Sequence, residues 1–109
     1  MSKQLLKKVT LFTITMSATM LISTSAYADG AELYTAKGCN ACHGVAGKAP
    51  IMGSYPKISG QNKEYLTQQL KDIKSGTRNN GQTAAMKAVM TAVSEDDIKA
   101  IAEYLAAVK

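Results

Sequence analysis

The sequence predicts an all-α domain of helices and loops, on three observations. Three segments place bulky apolar residues at helical spacing. No stretch alternates apolar and polar residues as a half-buried strand would. Cys39-Asn40-Ala41-Cys42-His43, a C-x-x-C-H pentapeptide, closes the first of those segments.

Residues 1–28 have the composition of a cleaved secretory signal. Lys3, Lys7 and Lys8 form a positive start, Val9 to Ser23 carries no charge, and Ala26-Tyr27-Ala28 is an A-x-A cleavage site. The uncharged stretch is shorter than the roughly 20 residues a spanning helix needs, and Thr and Ser dilute it. The expected mature domain is therefore 29–109. Without the three leading lysines, ten basic residues face eight acidic ones, so the formal charge falls from +5 to about +2. The basic balance of the full chain belongs largely to the leader, and nothing in it points to nucleic acid.

The first helix is expected from about Gly30 to Gly38, with Leu33 and Tyr34 as its bulky apolar residues. Gly44 to Gly60 holds four glycines and both prolines and reads as an irregular loop. The second helix is expected from Asn62, a suitable N-cap, to a stop at Gly76, with Tyr65, Leu66, Leu70 and Ile73 on one face. Thr77 to Gly81 is polar and turn-like. The third helix is expected from Ser94. Ser94-Glu95-Asp96-Asp97 is a capping box with Asp in place of Glu, and Ile98, Ile101, Leu105 and Val108 follow at core spacing.

The pentapeptide points to c-type haem. Two thiols at this spacing can each form a thioether with a haem vinyl group, and the adjacent imidazole can ligate the iron. Other uses of C-x-x-C fit poorly. A thioredoxin-type redox pair needs a βαβ context that is lacking, and a closed zinc site needs four ligands where the chain offers two Cys and one His. A chain of 81 residues also has too little apolar material for a large core, which a covalent macrocycle would supply. Haem attachment and the leader both place the expected site of action outside the cytoplasm, in the periplasm.

Order and spacing of several further motifs resemble a class I cytochrome c. More narrowly, the chain resembles the small bacterial cytochromes c-553 and single halves of the dihaem cytochromes c4. The matching stretches are Gly38 to Gly44, Tyr55-Pro56-Lys57-Ile58-Ser59-Gly60-Gln61, and Tyr65 to Leu70. They continue through Gly76-Thr77-Arg78, Met86, Val93 to Ile98, and Tyr104. The loop Gly47 to Pro56 is about one residue longer than in cytochromes c4. The resemblance implies the class I cytochrome c fold around one covalent haem c. It implies Cys39 and Cys42 as thioether positions, His43 as proximal iron ligand and Met86 as distal iron ligand. It places the Pro50 carbonyl against the His43 imidazole, Tyr65 and Arg78 near the haem edge or propionates, and Gly30 where the terminal helices cross, facing Ile98, Ile101 and Leu105.

Three methionines lie in the expected mature domain, at 52, 86 and 90. A methionine at helical spacing is ordinarily core filler. Met86 is preferred as ligand because it lies nearest the Asn79-Asn80-Gly81 stretch, and because it precedes Ser94 by the spacing that the resemblance implies. The lysines at 48, 57, 63, 71, 74 and 87 read as a docking rim or as solvated charge.

The resulting expectation is a periplasmic one-electron carrier, not an enzyme. It would be a monomer with no membrane span once the leader is removed, meeting redox donors and acceptors transiently. His/Met ligation favours the reduced state relative to two nitrogen ligands. Should no methionine ligate, an open iron position would make the chain a gas-binding or peroxidatic haem protein. The intact mass of protein recovered from periplasm should equal residues 29–109 plus one haem. A mass retaining residues 1–28, in the membrane fraction, would overturn the assignment of the leader.

Overall fold

The computed structural model describes residues 26–109, with side chains from Asp29 onward, so residues 1–25 of the expected leader lie outside the described residues. The described residues form five α-helices and no strand: α1 (Ala26–Ala36), α2 (Cys39–His43), α3 (Lys63–Ser75), α4 (Thr83–Met90) and α5 (Glu95–Ala107). A short 3-10 turn, Val45–Gly47, follows α2. No helix among them is long and apolar enough to cross a membrane.

Two of the expected helices keep their boundaries closely. α3 runs to Gly76, whose backbone adopts the left-handed conformation of a C-terminal stop. Asn62 precedes it in an extended conformation, but its side chain makes no cap. Instead its carbonyl accepts the Leu66 N–H at 2.9 Å. α5 opens with the capping box: the Ser94 hydroxyl accepts from the Asp97 N–H at 3.1 Å, and the Asp97 carboxylate accepts from the Ser94 N–H at 2.9 Å.

α1 begins at Ala26, four residues earlier than expected, and ends at Ala36. Two helices went unread. α2 is the C-x-x-C-H pentapeptide itself. α4 has only eight residues and buries just Thr83 and Met90, one at each end. A helix so short shows too few turns for a clear apolar period.

The core forms where α5 meets α1 and α3. Ile98, Ile101 and Leu105 are buried, with Leu66, Leu70 and Ile73 of α3 in the same cluster. Each such side chain contributes roughly 2 kcal/mol by leaving water. α1 crosses α5 at Gly30. A Cβ there would fall 2.2 Å from the Ala100 carbonyl oxygen and 2.6 Å from the Tyr104 Cβ. The close approach is thus to Ala100 and Tyr104, and not to the Ile98 face that the resemblance suggested. A side chain at this position would push the helices apart at about 1–3 kcal/mol. The Tyr34 ring packs at 5.7 Å from that of Tyr104, tilted by 57°.

Asp97 ties capping to pH. The Ser94 backbone N–H, and then Lys37 at 3.5 Å, hold its carboxyl below the usual carboxylate range. A carboxyl whose pKa falls on folding adds stability above its unfolded value near 4, and that stability is lost as pH drops through the folded value. Asp97→Asn should therefore lower the urea midpoint at pH 7, and the gap from wild type should narrow as the pH is taken below the ordinary carboxylate range. An unchanged gap would show that its charge is irrelevant.

Candidate functional site

A predominantly apolar cavity of about 470 Å³ opens between α2, the 54–61 loop, α3 and α4. This lies within the range of sites that take a cofactor-sized ligand. Cys39, Cys42, His43 and Met86 all line it. Both cysteines are free thiols and half-buried. Burial, and then the neighbouring Cys42, push the Cys39 thiol above its ordinary range.

The backbone around the pentapeptide is held by specific contacts. Gly44 follows His43 at φ 79°, and a Cβ there would sit 2.1 Å from the Ala49 carbonyl oxygen. No other residue fits that position without moving the loop. The Tyr34 hydroxyl donates to the Gly44 carbonyl at 2.7 Å, fastening α1 to the end of the motif. Burial pushes this phenol up to about 12, so it remains a donor at all ordinary pH values.

His43 is buried, and its Nδ1 lies 2.8 Å from the Pro56 carbonyl oxygen. A carbonyl only accepts, so Nδ1 carries the proton and Nε2 keeps the lone pair a metal requires. Carbonyl-anchored imidazoles of this kind orient metal ligands and raise their basicity. The expectation had assigned this carbonyl to Pro50, and the structure corrects it. The Ile51 N–H donates to the Cys42 carbonyl at 3.1 Å, which ties the stretch after Pro50 to the α2 backbone. A turn closed by Tyr55 N–H on the Met52 carbonyl then delivers Pro56 to the imidazole. Tyr55 packs beside it, ring centroids 6.4 Å apart.

The three methionines separate clearly. Met52 is exposed and does not line the cavity. Met90 lines it but is only 2 % exposed and belongs to the core cluster. Met86, half-buried, lies on the cavity wall and packs against that cluster from outside.

Tyr65 and Arg78 also line the cavity. Tyr65 is 51 % exposed, so it left the core face on which its spacing had put it. The Arg78 guanidinium donates to the Gln69 side-chain oxygen at 3.0 Å, which aims it along α3. The lysines do not form one class. Lys57 lines the cavity, Lys71 pairs with Glu95 at 3.4 Å, and Lys74 turns inward to the Val93 carbonyl.

The cavity has the contents a haem requires: an apolar lining, two thiols at attachment spacing, one imidazole of the correct tautomer, and a thioether on the wall. Residues 27–109 match the sequence model of the family described as Cytochrome c. The chain belongs to the cytochrome c family. Cytochrome c-553 of Nitratidesulfovibrio vulgaris is 33% identical over 84 residues, which span 77% of this chain and 80% of that protein. Cytochrome c4 of Azotobacter vinelandii is 35% identical over 68 residues, covering 62% of this chain and 32% of that protein. A protein of Stutzerimonas stutzeri named thiosulfate dehydrogenase electron acceptor is 41% identical over 68 residues, covering 62% and 31%. The chain thus spans about a third of the length of several relatives it matches. The crystal structure of reduced cytochrome c4 from Pseudomonas stutzeri superposes with a TM-score of 0.67 at 29% identity, over 77% of this chain and 48% of that one. The domain has the class I cytochrome c fold, and its cofactor is covalent haem c.

Without that cofactor the apolar lining of the cavity would face water, and a domain this small has little other core to offset the loss, so folding is expected to depend on haem. Cys39→Ser with Cys42→Ser should give a chain without bound haem and without native helical circular dichroism. Native helicity in the haem-free double variant would show that the apolar core suffices alone.

Proposed function

We propose that this chain is a periplasmic one-electron carrier whose iron is held by His43 and Met86, with Cys39 and Cys42 as the thioether positions. The Nδ1–H of His43 on the Pro56 carbonyl supports this reading, because it leaves Nε2 as the nitrogen available to a metal and orients an imidazole that lines the cavity. The haem supplies a reversible ferrous/ferric couple. The chain's own residues do the rest. Pro56 orients the imidazole, Arg78 with Gln69 keeps a cation at the cavity wall, and the α3 and α5 side chains exclude water. Two protein ligands leave no position for a substrate, which is why the reading is a carrier and not an enzyme.

Cleavage after Ala28 and export complete the proposal. The model of the family begins at residue 27, next to that site. Donors and acceptors are redox proteins met through small, short-lived interfaces. Two relatives, from Stutzerimonas stutzeri and Thiomonas intermedia, are named as electron acceptors of thiosulfate dehydrogenase, which supports a redox enzyme as donor.

Met86→Ala and Met90→Ala test the ligand. Met86→Ala should abolish the near-infrared sulfur-to-iron charge-transfer band of the oxidised protein and admit CO to the reduced one. Met90→Ala should keep the band while losing about 2–5 kcal/mol of stability, as a buried methionine does. The reverse pattern would make Met90 the ligand. Absence of the band from the unsubstituted protein, with CO uptake by its reduced form, would favour an open iron and the gas-binding reading.

A further inference from the structure

We propose that Lys37 and Lys74 are positioning residues for Met86, clamping the chain just beyond α4 so that the thioether stays at the iron. This rests on the reading of Met86 as distal ligand.

α4 needs such a clamp because it has little else. Its eight residues bury only Thr83 and Met90, and among the described helices it packs chiefly on α3. Residues 84, 85, 87, 88 and 89 are exposed. Between its two buried end residues the helix has no fully buried side chain to fix its rotation over the cavity. Met86 sits in the middle and is itself only half-buried.

The ends are where α4 is secured. At its start, the Thr83 hydroxyl donates to the Asn80 carbonyl. At its finish, the Ala92 and Val93 N–H groups close back on the Val89 and Met90 carbonyls, at 3.4 and 3.1 Å. The carbonyls of these same two residues, Ala92 and Val93, each receive a lysine. Lys37, just past α1, donates to the Ala92 carbonyl at 2.7 Å, and Lys74 of α3 donates to the Val93 carbonyl. The two ammonium groups arrive from different helices onto successive residues. Lys37 also lies 3.5 Å from the Asp97 carboxylate, so it spans the α4 exit and the α5 cap together.

A hydrogen bond from a charged donor is stronger than a neutral one, so each lysine holds its carbonyl more firmly than a neutral side chain would. The lysines thus act on ligation through the backbone, without touching the cavity.

The experiment uses the haem-loaded protein with Lys37→Gln, Lys74→Gln and Lys74→Arg, and Lys71→Gln as control. Two quantities are followed on heating: the sulfur-to-iron charge-transfer band and far-ultraviolet circular dichroism. CO uptake by the reduced protein is measured at 25 °C. Each Gln variant at 37 or 74 should lose the band at a lower temperature than its helices melt, and should bind CO at least tenfold faster than wild type. Lys74→Arg should restore wild-type behaviour, since a guanidinium can donate to the same carbonyl. Lys71→Gln should change neither quantity. If band and helicity disappear together in both Gln variants as in wild type, with CO uptake unchanged, the clamp is refuted. Lys37→Gln carries the test alone if Lys74→Gln does not accumulate. Met86→Ala is run in parallel: retention of the band there would refute the ligand reading itself, whatever the lysine variants do.

Discussion

An apolar cavity of about 470 Å³ in the middle of so short a chain is the constraint on which the rest of the structure depends. The interior that another small domain would fill with side chains is reserved for a macrocycle. The side-chain core is therefore displaced to the junction of α1, α3 and α5. The segments facing the cavity lie on its margin, where apolar packing alone cannot fix them. They are fixed by side chains that capture backbone carbonyls. Tyr34 takes Gly44, His43 takes Pro56, Thr83 takes Asn80, Lys37 takes Ala92 and Lys74 takes Val93. Each bond reaches a loop or a helix end, where carbonyls lack a helical partner. In a fold without sheet, these contacts do the work that a ladder does elsewhere.

This pattern also explains how far the sequence could be read. The pentapeptide was legible because its chemistry is local: five consecutive residues carry both thiols and the imidazole. α3 and α5 were legible because thirteen residues give three turns of apolar repeat, and Ser94 with Asp97 marks a start within four residues. Gly30 was legible only as a point of close approach. Which residues it meets depends on how α5 is rotated, and that rotation turned Ala100 and Tyr104 toward it.

The carbonyl contacts were opaque for a physical reason. A side chain that captures a carbonyl recognises backbone, so the acceptor's residue type leaves no trace in the sequence. Pro50 and Pro56 offer the same carbonyl, and only the turn between Met52 and Tyr55 decides which one meets His43. Lys74 looked like its neighbours Lys71 and Lys87, yet its ammonium is directed inward. Tyr34 read as an apolar filler, and its hydroxyl turned out to anchor the motif. α4 fell below the length at which periodicity speaks, although Thr83 and Met90, seven residues apart, do mark its buried side.

The crossing of α1 and α5 has a consequence for the order in which the protein can be made. The two helices come from opposite ends of the described chain, so their contact is among the longest in sequence that the domain contains. That contact cannot form until the whole intervening chain is present. A chain emerging from its N-terminus presents Cys39 and Cys42 early, while the residues that will cover α1 and close the core, Ala100 to Leu105, arrive last. Throughout that interval the two thiols belong to an open polypeptide. The topology therefore builds in a period during which a large rigid group can be brought to them, and the last helix then shuts the domain around it.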